Sequence, residues 1–399
     1  MLALEMYRSL PRHLAGRALS GRVPGVFPGY AAPLRLVNRD EPAVRRPGWA
    51  PLRPRLSGIC GSDLGALSGR SSHYFTALVS MPFVPGHEVV ADLLEDCEDL
   101  PAGTRVVVDP VLTCAARGLD PCAACAGGAT NRCERITVGH LRPGLQTGFC
   151  ADTGGGWGQL LQAHRSQLHP VPDDLPDEQA VLTEPTACAV HTASRAGVRD
   201  NDRVLVVGAG AVGLLATLAL RSLTAAGEIT VVAKHPHQRE LATRCGATEV
   251  VGPGEVLRRV RRATAAFRVE PELGSPYLLG GVDVAVDAVG SRSSLETALH
   301  ATRAGGRVVL SGMPAQVDLS AAWFRELEVV GSYASARAEP GGRGAFDVAG
   351  DLVRGEAVQA LAGAMARYPL HRWREALDHA GESGRLGAVK VTFDPRSRT

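Results

Sequence analysis

The stretch VLVVGAGAVGLLA, residues 204–216, decides how the second half of this chain folds. Four apolar residues of a buried-type strand run directly into Gly208, Gly210 and Gly213, in G-x-G-x-x-G spacing, at the start of an apolar helical segment. With that spacing the first glycine permits a tight turn, the second lets a pyrophosphate approach the backbone, and the third lets helix and strand pack closely. Ala211 and Val212 open the helix, whose unpaired amides face the phosphates. The motif therefore predicts a dinucleotide site on a strand-turn-helix unit.

Working outward, EITVVAKHPHQRELATRCGATEVV (228–251), VDVAVDAVG (282–290) and GGRVVLSG (305–312) alternate buried-type strands with helical segments. This alternation predicts a doubly wound parallel sheet. About twenty residues beyond the glycines, where an acidic residue would grip ribose hydroxyls, Ala233 is followed by Lys234, His235 and Arg239. No carboxylate repels a 2′-phosphate there and two cations attract one, so NADP(H) is expected over NAD(H).

The texture before residue 185 differs. Short β-rich runs such as LRLVN, RVVVDP and WGQLLQ are broken by Pro and Gly, which predicts a twisted, partly open β domain. Beyond about residue 335, AFDVAGDLVRGEAVQALAGAMA reads as helical and GAVKVTFDP as a closing strand. RHLAGRALSGRVPGVFPGYAAP and TAAFRVEPELGSPYLLGG look like surface inserts.

Composition narrows the partners. The 43 basic and 41 acidic residues give a net charge of +2, with no basic block interleaved with aromatics, so neither nucleic acid nor a membrane surface is expected. Charges interrupt the only apolar patch of the N-terminus, and no later run reaches membrane length, so a cytoplasmic protein is expected. At 399 residues the chain can bury two or three domain cores without disulfide staples.

Of nine cysteines, Cys114, Cys122, Cys125 and Cys133 fall within twenty positions. An odd total in a reducing compartment points to zinc and not to disulfides. Elsewhere SGICGSDL places Cys60 beside Ser62 and Asp63, and PFVPGHEVVA supplies His87 and Glu88. Cysteine, histidine and carboxylate are the ligand types of a catalytic zinc, which keeps one position open for water or substrate.

Cys60-Gly61-Ser62-Asp63, Gly86-His87-Glu88, the four-cysteine lobe, Glu184-Pro185 and the later glycine triplet occur in the order seen in zinc-dependent medium-chain dehydrogenases/reductases. From LRLVN to KVTFD the chain resembles that family. The resemblance implies a GroES-like, partly open β-barrel catalytic domain (1–185 and 336–399, with a structural zinc lobe at about 110–136) and a Rossmann domain (186–335), with the active site in the cleft between them. It implies catalytic zinc on Cys60, His87 and Glu184, with Glu88 approaching the metal from behind or replacing a ligand transiently. It also implies structural zinc on Cys122, Cys125 and Cys133. The family's usual first ligand position holds Leu119, so Cys114 serves if AARGLDP loops out.

Asp63 is placed to orient His87 through its distal ring nitrogen, and Ser62 to relay a proton. Cys97, Cys150, Cys188 and Cys245 read as small buried residues. The function expected is hydride transfer between NADP(H) and a small-molecule alcohol or carbonyl, by a homodimer or homotetramer. Reduction of a C=N or conjugated C=C bond is the enzymatic rival, and a non-catalytic binding protein with a redox fold is the rival outside enzymes. His73 or water ends the proton relay, and the GRSSHYF loop and Trp157 are candidate pocket residues.

Overall fold

The computed structural model describes residues 1–19, 32–337 and 342–397. Two compact units account for them. One comprises Met1–Glu184, Ala336–Ala338 and Ala362–Thr399, the other Pro185–Ser335 and Glu339–Leu361. The helices Ala345–Leu352 and Glu356–Gly363 thus group almost entirely with the second unit, while the closing strand Lys390–Asp394 returns to the first.

The second unit is built on six parallel strands, in the spatial order Glu249–Val251, Glu228–Val232, Arg203–Val207, Val282–Asp287, Thr302–Leu310 and Glu328–Gly331. Numbered along the chain this is 3-2-1-4-5-6, the Rossmann order, with the predicted glycine turn following the first strand. Val204, Leu205, Val206, Val284, Ala285, Val286, Val308 and Val309 are all buried, as a parallel sheet covered on both faces requires. The insert expected before residue 282 is a small hairpin, Phe267–Val269 with Tyr277–Leu279, which buries only Leu278 fully.

The first unit carries a seven-stranded, mainly antiparallel sheet, the partly open GroES-like barrel. Its organiser is the strand Trp49–Gly58, which pairs in turn with Leu161–His164, Val89–Leu93 and Lys390–Asp394. Pro54 sits at a register shift of this strand, where a missing N–H donor is tolerated. Leu52, Ala91, Leu93, Val106, Val108 and Leu161 fill one core. Leu4, Phe83, Trp157 and Phe393 belong to another.

The N-terminal hairpin Leu2–Met6 with Leu34–Asn38 is pinned by Glu5, which is buried and accepts hydrogen bonds from Arg35 (2.7 Å) and Arg39 (3.1 Å). Of the insert expected within it, residues 12–19 lie in the helix Leu10–Leu19, and 20–31 lie outside the described residues. No helix among the described residues is long and apolar enough to cross a membrane.

Candidate active site and metal centres

Three elements of the first unit meet at Cys60. The strand Trp49–Gly58 ends just before it, and Cys60 caps the short helix Gly61–Leu67, its N–H donating to Asp63 Oδ2 at 3.0 Å. His87 and Glu88 lead into the neighbouring strand Val89–Leu93. Gly86 delivers them with φ of +95°, a conformation suited to glycine, and a Cβ there would lie 2.4 Å from Trp157 Cδ1. Potential ligand atoms of Cys60, His87 and Glu88 all lie within 4.8 Å of one another.

The expected partners of His87 are in place. Asp63 Oδ1 stands 3.4 Å from Nδ1 and Ser62 Oγ 3.4 Å from Nε2. Burial works against the imidazolium, but the charge and hydrogen bond of Asp63, aided by Cys60, outweigh it and hold the His87 pKa well above its ordinary value. His87 Nδ1 and Asp63 Oδ1 are nevertheless buried without a well-aligned hydrogen bond. A pair this close and this poorly aligned would tighten once a metal fixed the ring through its other nitrogen. A cysteine, a histidine and a carboxylate converging at this spacing therefore fit zinc.

Glu184, the third expected ligand, is buried at the N-terminal end of the helix Thr183–Ala196. It is close enough to contribute to raising the pKa of Lys390, to which Cys60 and Glu88 also contribute. The compact trio of potential ligands contains Glu88 in its stead.

Lys390 was missed in the sequence. Its Nζ donates to Glu88 Oε1 at 2.5 Å, and both side chains are almost wholly buried. The available signal was composition, since Lys234 and Lys390 are the only lysines. Gly58 makes room for the pair: a Cβ there would lie 1.8 Å from Glu88 Oε2. Also missed was Asp109, whose pKa burial pushes up to about 7, with Val111 N–H opposing and Glu184 adding.

Trp157 is not a pocket residue. It is fully buried, packs 5.2 Å from Phe393 and donates from Nε1 to Gly58 O. Its bulk comes from the core of the unit, where sequence alone could not place it. His73 lies on a short 3-10 turn, its Nε2 accepting from the Arg17 guanidinium at 3.0 Å, beside the ring of His13.

The second metal candidate is the four-cysteine lobe. Its four sulfurs lie within 4.8 Å of one another, and no disulfide joins them. Cys114 Sγ is 3.6 Å from Cys133 Sγ, close to the roughly 3.8 Å edge of a tetrahedron with zinc–sulfur bonds of about 2.3 Å. Cys122 N–H donates to Cys114 Sγ, and backbone donors from Glu134 and Cys125 pull the Cys122 thiol down to about 6. The donor set fits a closed zinc site, and Cys114 reaches it despite its sequence offset. Cys97, Cys150 and Cys245 are buried elsewhere, and Cys188 is half-buried.

In the second unit the three glycines separate by role. Gly208 has φ of +107°; a Cβ on Gly213 would lie 2.0 Å from Gly208 O; a Cβ on Gly210 would meet nothing within 4 Å. Gly210 caps the helix Ala211–Leu223, leaving open space at its N-terminus. Ala233 is fully buried and its N–H donates to Val251 O, so Lys234 is the first exposed side chain after the second strand. His235 caps the helix Pro236–Arg244 and stacks on His237, and Arg239 is exposed on that helix.

Comparison with known proteins agrees with this geometry. Residues 46–173 match the profile described as alcohol dehydrogenase GroES-like domain, and residues 211–344 that described as zinc-binding dehydrogenase. The chain is 29% identical to sorbitol dehydrogenase of Bacillus subtilis over 318 residues, 78% of this chain and 80% of that one. It is 30% identical to the probable D-xylulose reductase A of Neosartorya fischeri over 306 residues, 75% and 79% of the two chains. A putative zinc-binding dehydrogenase from Sinorhizobium meliloti bound to NADP superposes with a TM-score of 0.65 at 26% identity, covering 91% of this chain and 95% of that one. The 2R,3R-butanediol dehydrogenase of Bacillus subtilis shares the fold, with a TM-score of 0.68 at 23% identity over 91% and 96%.

The chain belongs to the zinc-dependent medium-chain dehydrogenase/reductase family. It is an oxidoreductase of the zinc-dependent alcohol dehydrogenase type. Reduction of C=N or C=C bonds finds no support among these relatives.

Proposed function

We propose that this protein interconverts a polyol-like secondary alcohol and its ketone with NADP(H), using zinc held by Cys60, His87 and a carboxylate, Glu184 or Glu88. The observation that carries the reading is the convergence of Cys60, His87 and Glu88, with Ser62 against His87, on a chain whose relatives by name act on sorbitol and xylulose. Zinc, when bound, supplies Lewis-acid polarisation of the substrate oxygen. A nicotinamide cofactor, when bound, would supply the hydride donor or acceptor for the carbinol carbon.

The chain's own residues orient and move protons. Asp63 holds the His87 ring in one orientation, leaving Nε2 for the metal. Ser62, exposed on the first turn of its helix, carries the hydroxyl proton outward. Gly210 leaves room for the cofactor pyrophosphate, and Lys234 with Arg239 offers the cations for a 2′-phosphate. His235 lies between them in the chain and adds a third basic group.

Initial rates with a panel of alcohols and polyols, each with NADP+ and NAD+, test this reading. The expected result is oxidation of vicinal diols or polyols, with NADP+ favoured at least tenfold in kcat/KM, about 1.4 kcal/mol. Lys234→Asp should reverse the cofactor order. Equal efficiency with both cofactors in the parent protein would remove the 2′-phosphate assignment, and no turnover of any alcohol would remove the substrate class.

A further inference from the structure

Arg117 belongs to the segment that loops out between the first and second lobe cysteines, and it is fully buried. Its guanidinium donates only to backbone carbonyls: Nε to Leu112 O (3.2 Å), one terminal nitrogen to Val138 O (3.0 Å), Leu141 O (3.2 Å) and Arg142 O (3.3 Å), the other to Arg142 O (3.3 Å) and Gly144 O (2.7 Å). Its backbone is equally committed. Arg117 N–H bonds Thr113 O and Cys114 O, and its own carbonyl receives His140 N–H. Gly139, at φ of +94°, lets that carbonyl approach, since a Cβ there would lie 2.7 Å from Arg117 O.

These bonds satisfy every donor direction but do not neutralise the charge. Carbonyl dipoles solvate a cation, but a buried unpaired charge remains costly. No carboxylate of the described residues forms an ion pair with Arg117, and Asp152, a carboxylate whose charge acts on it, is engaged by Arg142 through both backbone (2.7 Å) and guanidinium (3.2 Å). The other acidic groups whose charge favours that of Arg117 are thiols, Cys150, Cys133 and Cys114, while His140, bonded to the Arg117 carbonyl, offers no negative charge. Two of these thiols belong to the four-sulfur cluster. Four thiolates around a divalent zinc carry a net charge of −2, which is itself costly to bury in a lobe with little apolar content.

We propose that Arg117 is the counter-cation of the four-thiolate centre, a positioning residue whose charge sets how tightly Cys114, Cys122, Cys125 and Cys133 hold their ion. Each side answers the other's need, the cation lacking an acid and the centre carrying excess negative charge. The same residue clamps the loop that brings Cys114 back to the cluster from its displaced place in the sequence. The inference rests on reading these cysteines as a metal site, and the experiment separates the two.

The full-length protein, carrying Cys60→Ser throughout to remove the thiolate of the other candidate metal site, is prepared as parent, Arg117→Met and Arg117→Lys, loaded with zinc and titrated against a chelator, and separately loaded with cobalt for spectroscopy. The parent should show a sulfur-to-cobalt charge-transfer band. Arg117→Met should weaken zinc retention at this site at least tenfold and move the band to longer wavelength, while Arg117→Lys, which keeps the charge, should stay within threefold of the parent. Equal losses in the two variants would assign the effect to the clamp alone and overturn the proposal, as would unchanged retention in Arg117→Met. If Arg117→Met does not fold, Arg117→Lys decides, retention within threefold and an unshifted band supporting the proposal and a tenfold loss overturning it. Absence of a cobalt–thiolate band in the parent would remove the metal site itself.

Discussion

Lys390 Nζ lies 2.5 Å from the carboxylate of Glu88, although 301 residues separate them in the chain, and both are buried beside Cys60 and His87. The strand Trp49–Gly58 brings them together, pairing Val89 opposite Ser57 on one side and Phe393 opposite Ser57 on the other. Burial opposes the Lys390 ammonium, yet Glu88 outweighs it and its pKa is raised. Removing one partner leaves a buried charge unpaired. Lys390→Met should therefore destabilise the protein by about 3–5 kcal/mol in denaturant titration, and Glu88→Gln added to it should recover a large part of that loss. A Lys390→Met protein as stable as the parent would show that the pair is dispensable.

Metal content tests the lobe. Cys114→Ser should hold one tightly bound zinc fewer than the parent by elemental analysis after dialysis, and should melt at lower temperature. Cys245→Ser is the control. That thiol is buried in the second unit, its pKa pushed up to about 12 by burial, and its loss should leave zinc unchanged.

The glycine turn yields a pair of opposite outcomes. Gly213→Ala should destabilise the second unit, because its Cβ would collide with Gly208 O at 2.0 Å, where backbone cannot yield cheaply. Gly210→Ala has open space around it, so its melting temperature should match the parent while nucleotide affinity falls tenfold or more. Calorimetry with NADP+ reads both quantities. Similar melting temperatures for the two variants would contradict the packing assigned to the third glycine.

Asp109 predicts a pH-dependent stability difference. Its folded pKa, about 7, lies above the ordinary aspartate value of 3.8, so the folded state binds the proton more tightly. The stabilisation is complete below about pH 4 and is lost as pH rises through 7. Asp109→Asn keeps an oxygen for Val111 N–H and cannot ionise. On metal-stripped protein it should match the parent near pH 4.5 and exceed it above pH 8 by on the order of 1 kcal/mol, a figure reduced for the partial solvent access of the site.

The proton relay is open to direct assay. Ser62→Ala should lower kcat by roughly 10²-fold with little change in nucleotide binding, and the loss should be smallest at high pH, where water can take the proton unaided. His87→Ala should abolish turnover while the second unit still binds NADP+, since the glycine turn belongs to a separate body.

Local chemistry was legible without coordinates wherever neighbours in sequence are neighbours in space. The glycine triplet is one example, since a strand, a turn and a helix N-terminus are contiguous; Cys60 with Asp63 and Cys122 with Cys125 are others. The alternation of strand and helix likewise carried the Rossmann order, because right-handed crossovers leave few ways to arrange such units. The insert around residue 270 became a hairpin because its two apolar ends pair locally, which composition alone did not reveal.

Tertiary structure decided what depends on register between distant strands. Glu88 acquires Lys390 as its buried partner only because both flank the strand Trp49–Gly58, and nothing near residue 88 encodes that pairing. Trp157 resembles a pocket aromatic in sequence but is sealed against Phe393. Ala233 yields its place to Lys234 because the strand end turns the alanine inward. Residue order alone carried the ligand types this protein possesses and the succession of its secondary elements; the packing of the sheet set which charges meet, because burial and cross-strand register are properties of the assembled core and not of any segment within it.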